Sequence, residues 1–309
     1  VGAVTPVAAP LEHVVVGEIL SITPHPQADR LRVCQVNVGQ KASLTIVCGA
    51  ANAAAGLKVP VALEGAVLPN ATKITRTAIR GVESFGMLCA AAELGLEESS
   101  QGLLVLETKA KPGTPISKFL QLDDQQLEIE LTPNRGDCLS IMGLARELAV
   151  LTGARYTPLA VKQITAKTRR KLSVTLGAKD ACARYAGRVI EGINPQAATP
   201  LWMKERLRRS GVRSIHPVVD ITNYVMLEFG QPMHAFDLDK LSGGITARSA
   251  RKNEKLVLLD GKALTLDPAD LVIADARGPV ALAGIMGGQD SAVVAVTQNL
   301  FLESAWFRP

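Results

Sequence analysis

Between Val14 and about Leu106 the apolar positions fall in short β-branched runs. "VVVGEIL", "RLRVCQVNVG", "LTIVC" and "LKVPVAL" are separated by clusters of Pro, Gly, Asn and Asp, which favour turns. A 3.6-residue period is almost absent here. "AAAELGL", residues 90–96, is one helical turn closed by Gly95. Several short strands in one stretch predict a small β-barrel. The preceding "VGAVTPVAAP" reads as a frayed lead-in.

The pattern changes near Gln125. In "LEIEL" Leu127, Ile129 and Leu131 alternate with Glu128 and Glu130, the mark of a half-buried strand. "TPNRGD" turns the chain. Ile141, Leu144, Ala145, Leu148 and Leu151 then recur at helical spacing up to Gly153. This strand–helix piece is too small to bury a core alone. A basic stretch, "VKQITAKTRR" plus Lys171, reads as a linker.

Beyond it the pattern is α+β. "TPLWMKERLRRSG" predicts a helix with Thr199 as N-cap, Pro200 at the first position and Gly211 past its end. "HPVVDITNYVMLEFG" predicts a second, apolar nearly all round and so expected to be buried. "KLVLLDGKALTL" predicts a hairpin turning at Asp260-Gly261. "DLVIADARGPVALAGIMGG" reads as strand, turn, strand.

Composition narrows the classes. The chain has 309 residues, 47% hydrophobic and 20% charged, so two or three globular domains are expected. Its richest apolar run, residues 278–288, is too short and glycine-rich to span a bilayer, and no signal peptide is visible. The start lacks an initiator Met and the end, "ESAWFRP", lacks a tail, so the chain is expected to be part of a longer protein. Five scattered cysteines, never in a CxxC pair, argue against a disulfide framework or zinc knuckle and for a reducing cytoplasm. A net charge of +5 permits a polyanionic partner without requiring one. With 4% aromatics, a base-stacking surface would rest on few residues.

Several segments carry candidate chemistry. In "HPQADRL" His25 and Asp29 are four apart, but Pro26 makes the segment a turn, with an exposed His, rather than a ligand pair. Lys73, Arg76 and Arg80, interleaved with Thr72, Thr75 and Thr77, suit phosphate contacts or a solvated strand face. Lys204, Arg206, Arg208, Arg209 and Arg213 crowd one helix and its exit with only Glu205 opposing. That is too basic to neutralise itself, and suits either a nucleic-acid backbone or solvent. "GIMGG", residues 284–288, admits close backbone approach but is not a phosphate or dinucleotide loop; a tight turn is the alternative. Asn223, His234 and Glu303 are polar residues in apolar segments, which require partners or a purpose. A His and a Glu at one cavity can position a water for hydrolysis; a core hydrogen-bond network fits equally.

The ordered motifs "VVVGEI", "HPQADRLRVCQVNVG", "IVCGAANAAAGLKVPVALEGAVLP" and "IRGVESFGMLCAAAELGL" resemble the tRNA-binding OB-fold module. "TPNRGDCLSIMGLARELAVLTG" and "RSIHPVVDITNYVMLEFGQPMHAFDLDKL" narrow the resemblance to the bacterial phenylalanyl-tRNA synthetase β-subunit family, from Val14 to the last residue. The resemblance implies a multi-domain α+β/β fold. Residues 1–12 and 125–165 would form a small α+β domain, with an OB barrel at 13–124 inserted in it. A linker at 166–171 and a B3/B4-type editing region at 172–309 would follow. It implies a cytoplasmic enzyme that, with an α subunit in an α2β2 heterotetramer, charges tRNA-Phe at the expense of ATP and Mg2+.

The ATP and Mg2+ chemistry is expected in the α subunit, with no metal or cofactor held by this chain. The editing region would hydrolyse Tyr mischarged onto tRNA-Phe, a correction required because a Phe pocket rejects an added hydroxyl weakly. Carried over by motif, Glu303 would accept the tyrosyl hydroxyl. His234 and Asn223 would orient the ester or a water. Gly287 and Gly288 would admit the backbone closely, and Arg213 would meet the tRNA 3′ end or brace the pocket. Lys73, Arg76, Arg80, Lys204 and Arg208 are the candidate tRNA contacts. Two alternatives stand beside this reading: a non-enzymatic tRNA-binding or chaperone-like protein using the OB barrel alone, and a freestanding editing hydrolase.

Overall fold

The computed structural model describes residues 1–106 and 109–308. The chain divides into two compact units, Val1–Glu130 and Leu131–Pro309.

In the first unit the strands are β1 (Ala3–Pro6), β2 (Val14–His25), β3 (Ala28–Asn37), β4 (Leu44–Cys48), β5 (Lys58–Leu63), β6 (Thr77–Ile79), β7 (Val82–Ser84) and β8 (Gly86–Leu88). Helix α1 (Ile116–Phe119) and strand β9 (Gln125–Glu128) complete it. Five strands form a sheet in the order β4-β3-β2-β5-β8. Its ends approach each other where Phe85 N–H donates to the Thr45 carbonyl at 2.9 Å and Val47 N–H to Ser84 Oγ at 3.1 Å, so the sheet is nearly closed. The alternation in the sequence supplies the filling: Ile19, Val36, Ile46, Val59, Val61 and Leu88 all meet in one core.

The structure adds a hairpin that the polar "TRTAIRGVES" did not reveal. β6 and β7 join through Arg80 and Gly81, both with positive φ (45° and 83°), as a type I′ turn requires. His25 is buried, not exposed. Its Nδ1 accepts from Gln27 N–H at 3.1 Å and its Nε2 lies 3.0 Å from the Ile79 carbonyl, tying the tip of β2–β3 to β6. β1 pairs antiparallel with β9, Pro6 opposite Gln125. The half-buried strand expected at 127–131 is mostly solvated: β9 ends at Glu128 and Leu127 is 58% exposed.

The second unit opens with α2 (Ile141–Thr152), capped by Ser140 and closed by left-handed Gly153. Its predicted apolar stripe is largely solvated, with Ile141, Leu148 and Leu151 exposed. Then follow β10 (Val174–Leu176), β11 (Arg184–Ile190), α3 (Leu201–Arg209), α4 (Pro217–Phe229), β12 (His234–Asp237), β13 (Ile245–Ser249), β14 (Lys255–Val257), β15 (Ala263–Thr265), β16 (Leu271–Ala274), β17 (Pro279–Leu282), β18 (Met286–Gly287) and β19 (Leu300–Trp306).

One sheet runs β10-β13-β16-β17-β18, another β11-β19-β12, and β14 pairs with β15. The three-stranded sheet lies between two layers, as the alternation of strand side chains dictates. Phe301 and Phe236 pack with Ile245, Ala247 and Ile273 of the larger sheet. Ala235, Leu300 and Leu302, on the opposite face, pack with Val218 of α4.

Three local expectations change. Thr199 is not the N-cap of α3; Pro200 occupies that position without a side-chain bond. The Thr199 hydroxyl instead donates to Asp220 of α4 at 2.5 Å. α4 is only partly buried: Val218, Asp220 and Thr222 are buried, residues 223–229 are intermediate and Ile221 is half-exposed. The β14–β15 turn is longer than two residues: Leu258 N–H bonds the Lys262 carbonyl at 2.9 Å, and Gly261 takes the left-handed position of a three-residue loop.

Phe301 ties the two sheets together. Its ring occupies the space that a Cβ on Gly187 would fill, 2.2 Å from that position. Phe301→Ala should destabilise the second unit by about 3–5 kcal/mol, read by urea unfolding. A loss below about 1 kcal/mol would contradict this packing.

Candidate functional site

β19 is the central strand of its sheet, and its register sets the site. Glu303 stands opposite His234 on β12 and opposite Gly187 on β11. Directly opposed side chains have Cβ atoms roughly 4.5–5.5 Å apart, so the carboxylate and the imidazole share one face of the sheet.

Each side chain is held from a different side. The His234 ring stands edge-on to Phe236, centroids 4.5 Å apart, two residues along the same strand. Behind it lies Gly287, where a Cβ would meet His234 Cε1 at 2.4 Å and Nε2 at 2.6 Å. Glycine at 287 is therefore what admits the imidazole. Its neighbour Gly288 serves a different contact: a Cβ there would meet the Val280 carbonyl at 2.6 Å. The two glycines thus let His234 and β17 come close, rather than lying open to a ligand. Glu303 is buried and accepts a hydrogen bond from the Tyr185 hydroxyl at 2.6 Å.

Burial shapes the protonation of both groups. It pushes the His234 pKa down to about 4, because an imidazolium is poorly solvated there. His234 Nε2 is enclosed and has no hydrogen-bond partner among the described residues. Burial also raises the Glu303 carboxyl above the usual carboxylate range, a rise opposed by the Tyr185 hydrogen bond. A neutral imidazole and a tethered carboxylate can both hydrogen-bond a polar ligand, and the carboxylate can accept from a hydroxyl.

The remaining predicted residues lie elsewhere. Asn223 is on α4, which packs on the opposite face of the sheet through Val218. Among the described residues it makes no hydrogen bond to His234 or Glu303. Arg213 is exposed in the segment between α3 and α4. That segment is clamped by buried Asp220, which accepts from Ser214 Oγ at 2.6 Å and Ile215 N–H at 2.9 Å, besides Thr199. Among the described residues the basic helix has partners for three of its arginines but stays net basic, since Glu205 and, at 4.0 Å from Arg206, Glu228 are the carboxylates facing it. Glu205 is buried and binds Arg208 at 2.9 Å and Arg209 at 3.4 Å. Arg206 donates to Tyr224 OH at 2.8 Å and lies over Trp202. Lys204 remains half-exposed.

In the first unit Lys73 and Arg80 are exposed, and Arg80 reaches the Gln27 carbonyl at 3.4 Å. Arg76 is engaged by Glu83 at 2.6 Å and lies over Phe85.

Sequence reasoning missed Tyr185 and Gly187. The signal was present: in "RYAGRVI" Tyr185, Gly187 and Val189 alternate with Ala186 and Arg188, a strand face. That this face meets Glu303 is set by the register of β19, which one strand's sequence does not contain.

Comparison with known proteins gives these two units a class. Residues 14–115 match the putative tRNA binding domain family, and residues 181–309 match the B3/4 domain family. The protein is therefore one that joins a tRNA-binding module to a B3/4 domain. It is 55% identical to the phenylalanine–tRNA ligase β subunit of Nitrosococcus oceani over 98% of its own length and 38% of the relative's. It is 56% identical to that of Methylococcus capsulatus over the same shares. It is 54% identical to that of Thiobacillus denitrificans over 100% of its length and 39% of the relative's. The chain belongs to the phenylalanine–tRNA ligase β-subunit family and corresponds to the N-terminal region of its members. It spans under two-thirds of the length of these relatives. Among the described residues no helix is long and apolar enough to cross a membrane.

The neutral buried state of His234 has a thermodynamic signature. A folded-state pKa of about 4 against an unfolded value near ~6.5 means that the unfolded chain binds more protons between those pH values. The corresponding stability is complete above about pH 6.5 and is lost as pH falls towards 4. NMR titration of His234 should show a midpoint well below 6, and His234→Gln should flatten that part of the stability–pH curve. A midpoint near 6.5 would contradict the burial.

Proposed function

We propose that this chain is the tRNA-binding and editing part of a phenylalanine–tRNA ligase β subunit. With the rest of β and an α subunit, in a cytoplasmic α2β2 assembly, it hydrolyses Tyr esterified to tRNA-Phe. The observation that carries this reading is the in-register pairing of His234 with Glu303 on neighbouring strands of the B3/4 unit, with Gly287 against the imidazole.

Glu303 is the discriminating group. Its carboxylate accepts a tyrosyl hydroxyl and finds no partner in a phenylalanyl side chain, and a site built on such a bond strongly prefers the ligand that has it. His234 works as a neutral hydrogen-bonding group at the ester or at a water, because its low pKa makes it a weak base at neutral pH. Gly287 and Gly288 act by close packing, Gly287 admitting the imidazole and Gly288 the Val280 carbonyl of β17. Arg213, exposed on its clamped segment, is suited to the tRNA 3′ end. Asn223, on α4 behind the sheet, is proposed to steady the site rather than to touch the ester. ATP and Mg2+ serve the synthetic reaction of the complete α/β enzyme. Among the described residues no three His, Cys, Asp or Glu side chains converge as metal ligands would, and no step here is routed through a metal.

For the architecture we infer an OB barrel at 13–124 inserted into a small α+β domain made of 1–12 and 125–165. A linker at 166–171 and the editing region at 172–309 follow. The pairing of β1 with β9 supports the insertion, since the chain leaves that pair before the barrel and returns after it. The tRNA contacts proposed are Lys73, Arg76, Arg80, Lys204 and Arg208. Lys73 and Arg80 should carry most of the electrostatic attraction, because Arg76 and Arg208 already have carboxylate partners.

Two measurements test this reading. In the complete β subunit assembled with α, His234→Ala and Glu303→Ala should each slow Tyr-tRNA-Phe hydrolysis by roughly 10–100-fold, one or two steps of ~1.4 kcal/mol, while charging with Phe is spared. Normal hydrolysis by both variants would sink the site. Replacing Lys73 and Arg80 together by Ala should weaken tRNA binding and lower the slope of log K against log salt by about 1–2. An unchanged slope would remove these two residues from the interface.

A further inference from the structure

We propose that Tyr185 is a positioning residue of this site: its phenol fixes one oxygen of the Glu303 carboxylate so that the other alone is presented to a ligand hydroxyl. This rests on the editing role proposed for Glu303.

The geometry supports the assignment at three points. First, the Tyr185 hydroxyl donates to Glu303 Oε2 at 2.6 Å, within the range of strong phenol–carboxylate bonds. Second, among the described residues Oε1 makes no hydrogen bond, and the side chain is not wholly enclosed. Glu303 keeps 7% of its surface exposed. Third, the Tyr185 ring cannot swing freely. It stacks nearly parallel on Phe301, 6.5 Å between centroids and 13° between planes. Phe301 is itself seated over Gly187, where a Cβ would collide with the ring. Two alternate positions of β11 therefore cooperate, Gly187 admitting the ring that steadies Tyr185, and Tyr185 steadying the carboxylate.

The consequence is specific to a phenolic ligand. A carboxylate tied through one oxygen loses rotational freedom and offers a single acceptor. A tyrosyl hydroxyl satisfies that acceptor, whereas a phenylalanyl side chain of nearly the same shape leaves it desolvated and unpaired, a cost that falls on the wrong ligand. The titratable groups facing Glu303 are Tyr185 from β11, His234 from β12 and Cys182 just before β11. The Cys182 thiol is pushed up by burial and by the Glu303 charge. Donation from Tyr185 favours the ionised carboxylate, so removing it moves Glu303 protonation to higher pH. The protonation of His234, at about 4, is governed by burial and stays in place.

The test is Tyr185→Phe in the complete β subunit assembled with α, which keeps the ring on Phe301 and deletes only the hydroxyl. Hydrolysis of Tyr-tRNA-Phe and Phe-tRNA-Phe is followed across pH, beside Glu303→Ala. The expected result is a roughly tenfold fall in the Tyr-over-Phe preference, mainly through KM for the tyrosyl ester. The acid limb should shift to higher pH with thermal stability retained. If Glu303→Ala hydrolyses the tyrosyl ester normally, the editing role of Glu303 fails, and the proposal with it. If Glu303→Ala is impaired but Tyr185→Phe keeps both the wild-type preference and the wild-type acid limb, the positioning role alone is overturned. Equal slowing of both esters, or a lower KM for the tyrosyl ester, overturns it as well. The first would make Tyr185 a structural prop, the second a competitor for Glu303.

Discussion

The register of β19 is the constraint on which the B3/4 unit depends. One residue of slip would turn Glu303 towards α4 and place Leu302 between the sheets. The apolar residues prevent this. Phe301 goes into the space over Gly187, while Leu300 and Leu302 meet Ala235 and Val218 on the other face. The buried carboxylate is thus positioned by its neighbours' packing, and its own hydrogen bond to Tyr185 offsets the cost of taking it out of water.

A second buried carboxylate works differently. Asp220 gathers donors from Thr199, Ser214 and Ile215 and so joins the start of α3, the connecting segment and α4. Its role is to fix backbone. Around it the arginines of α3 divide between Glu205, which takes Arg208 and Arg209, and the aromatic pair Trp202 and Tyr224, which takes Arg206. These contacts fix where the guanidinium groups point, while the helix keeps a net positive charge.

What was legible in the sequence was local. The alternating runs of β2 to β5, the glycine stops of α2 and α4, and Pro217 at the first turn of α4 all appear where pattern and propensity put them. The shortfalls share a cause. Thr199 reads as a cap because capping is a neighbour effect, yet its hydroxyl goes to a residue 21 positions away. α4 reads as buried all round because periodicity does not say how many faces find partners. His25 reads as exposed because its acceptor lies on another hairpin, at Ile79. At the site, His234, Glu303 and Gly287 came from family resemblance rather than spacing. Tyr185, which no motif marked, is the residue hydrogen-bonded to Glu303.

The pairing of β1 with β9 has a geometric consequence. Pro6 and Gln125 are register partners, so their Cα atoms lie roughly 4.5–5.5 Å apart although a whole barrel separates them along the chain. To the remainder of the protein, everything between them is a loop whose two ends nearly touch. Ends that close meet the geometric condition under which a segment can be inserted or exchanged while the strands that carry it stay paired.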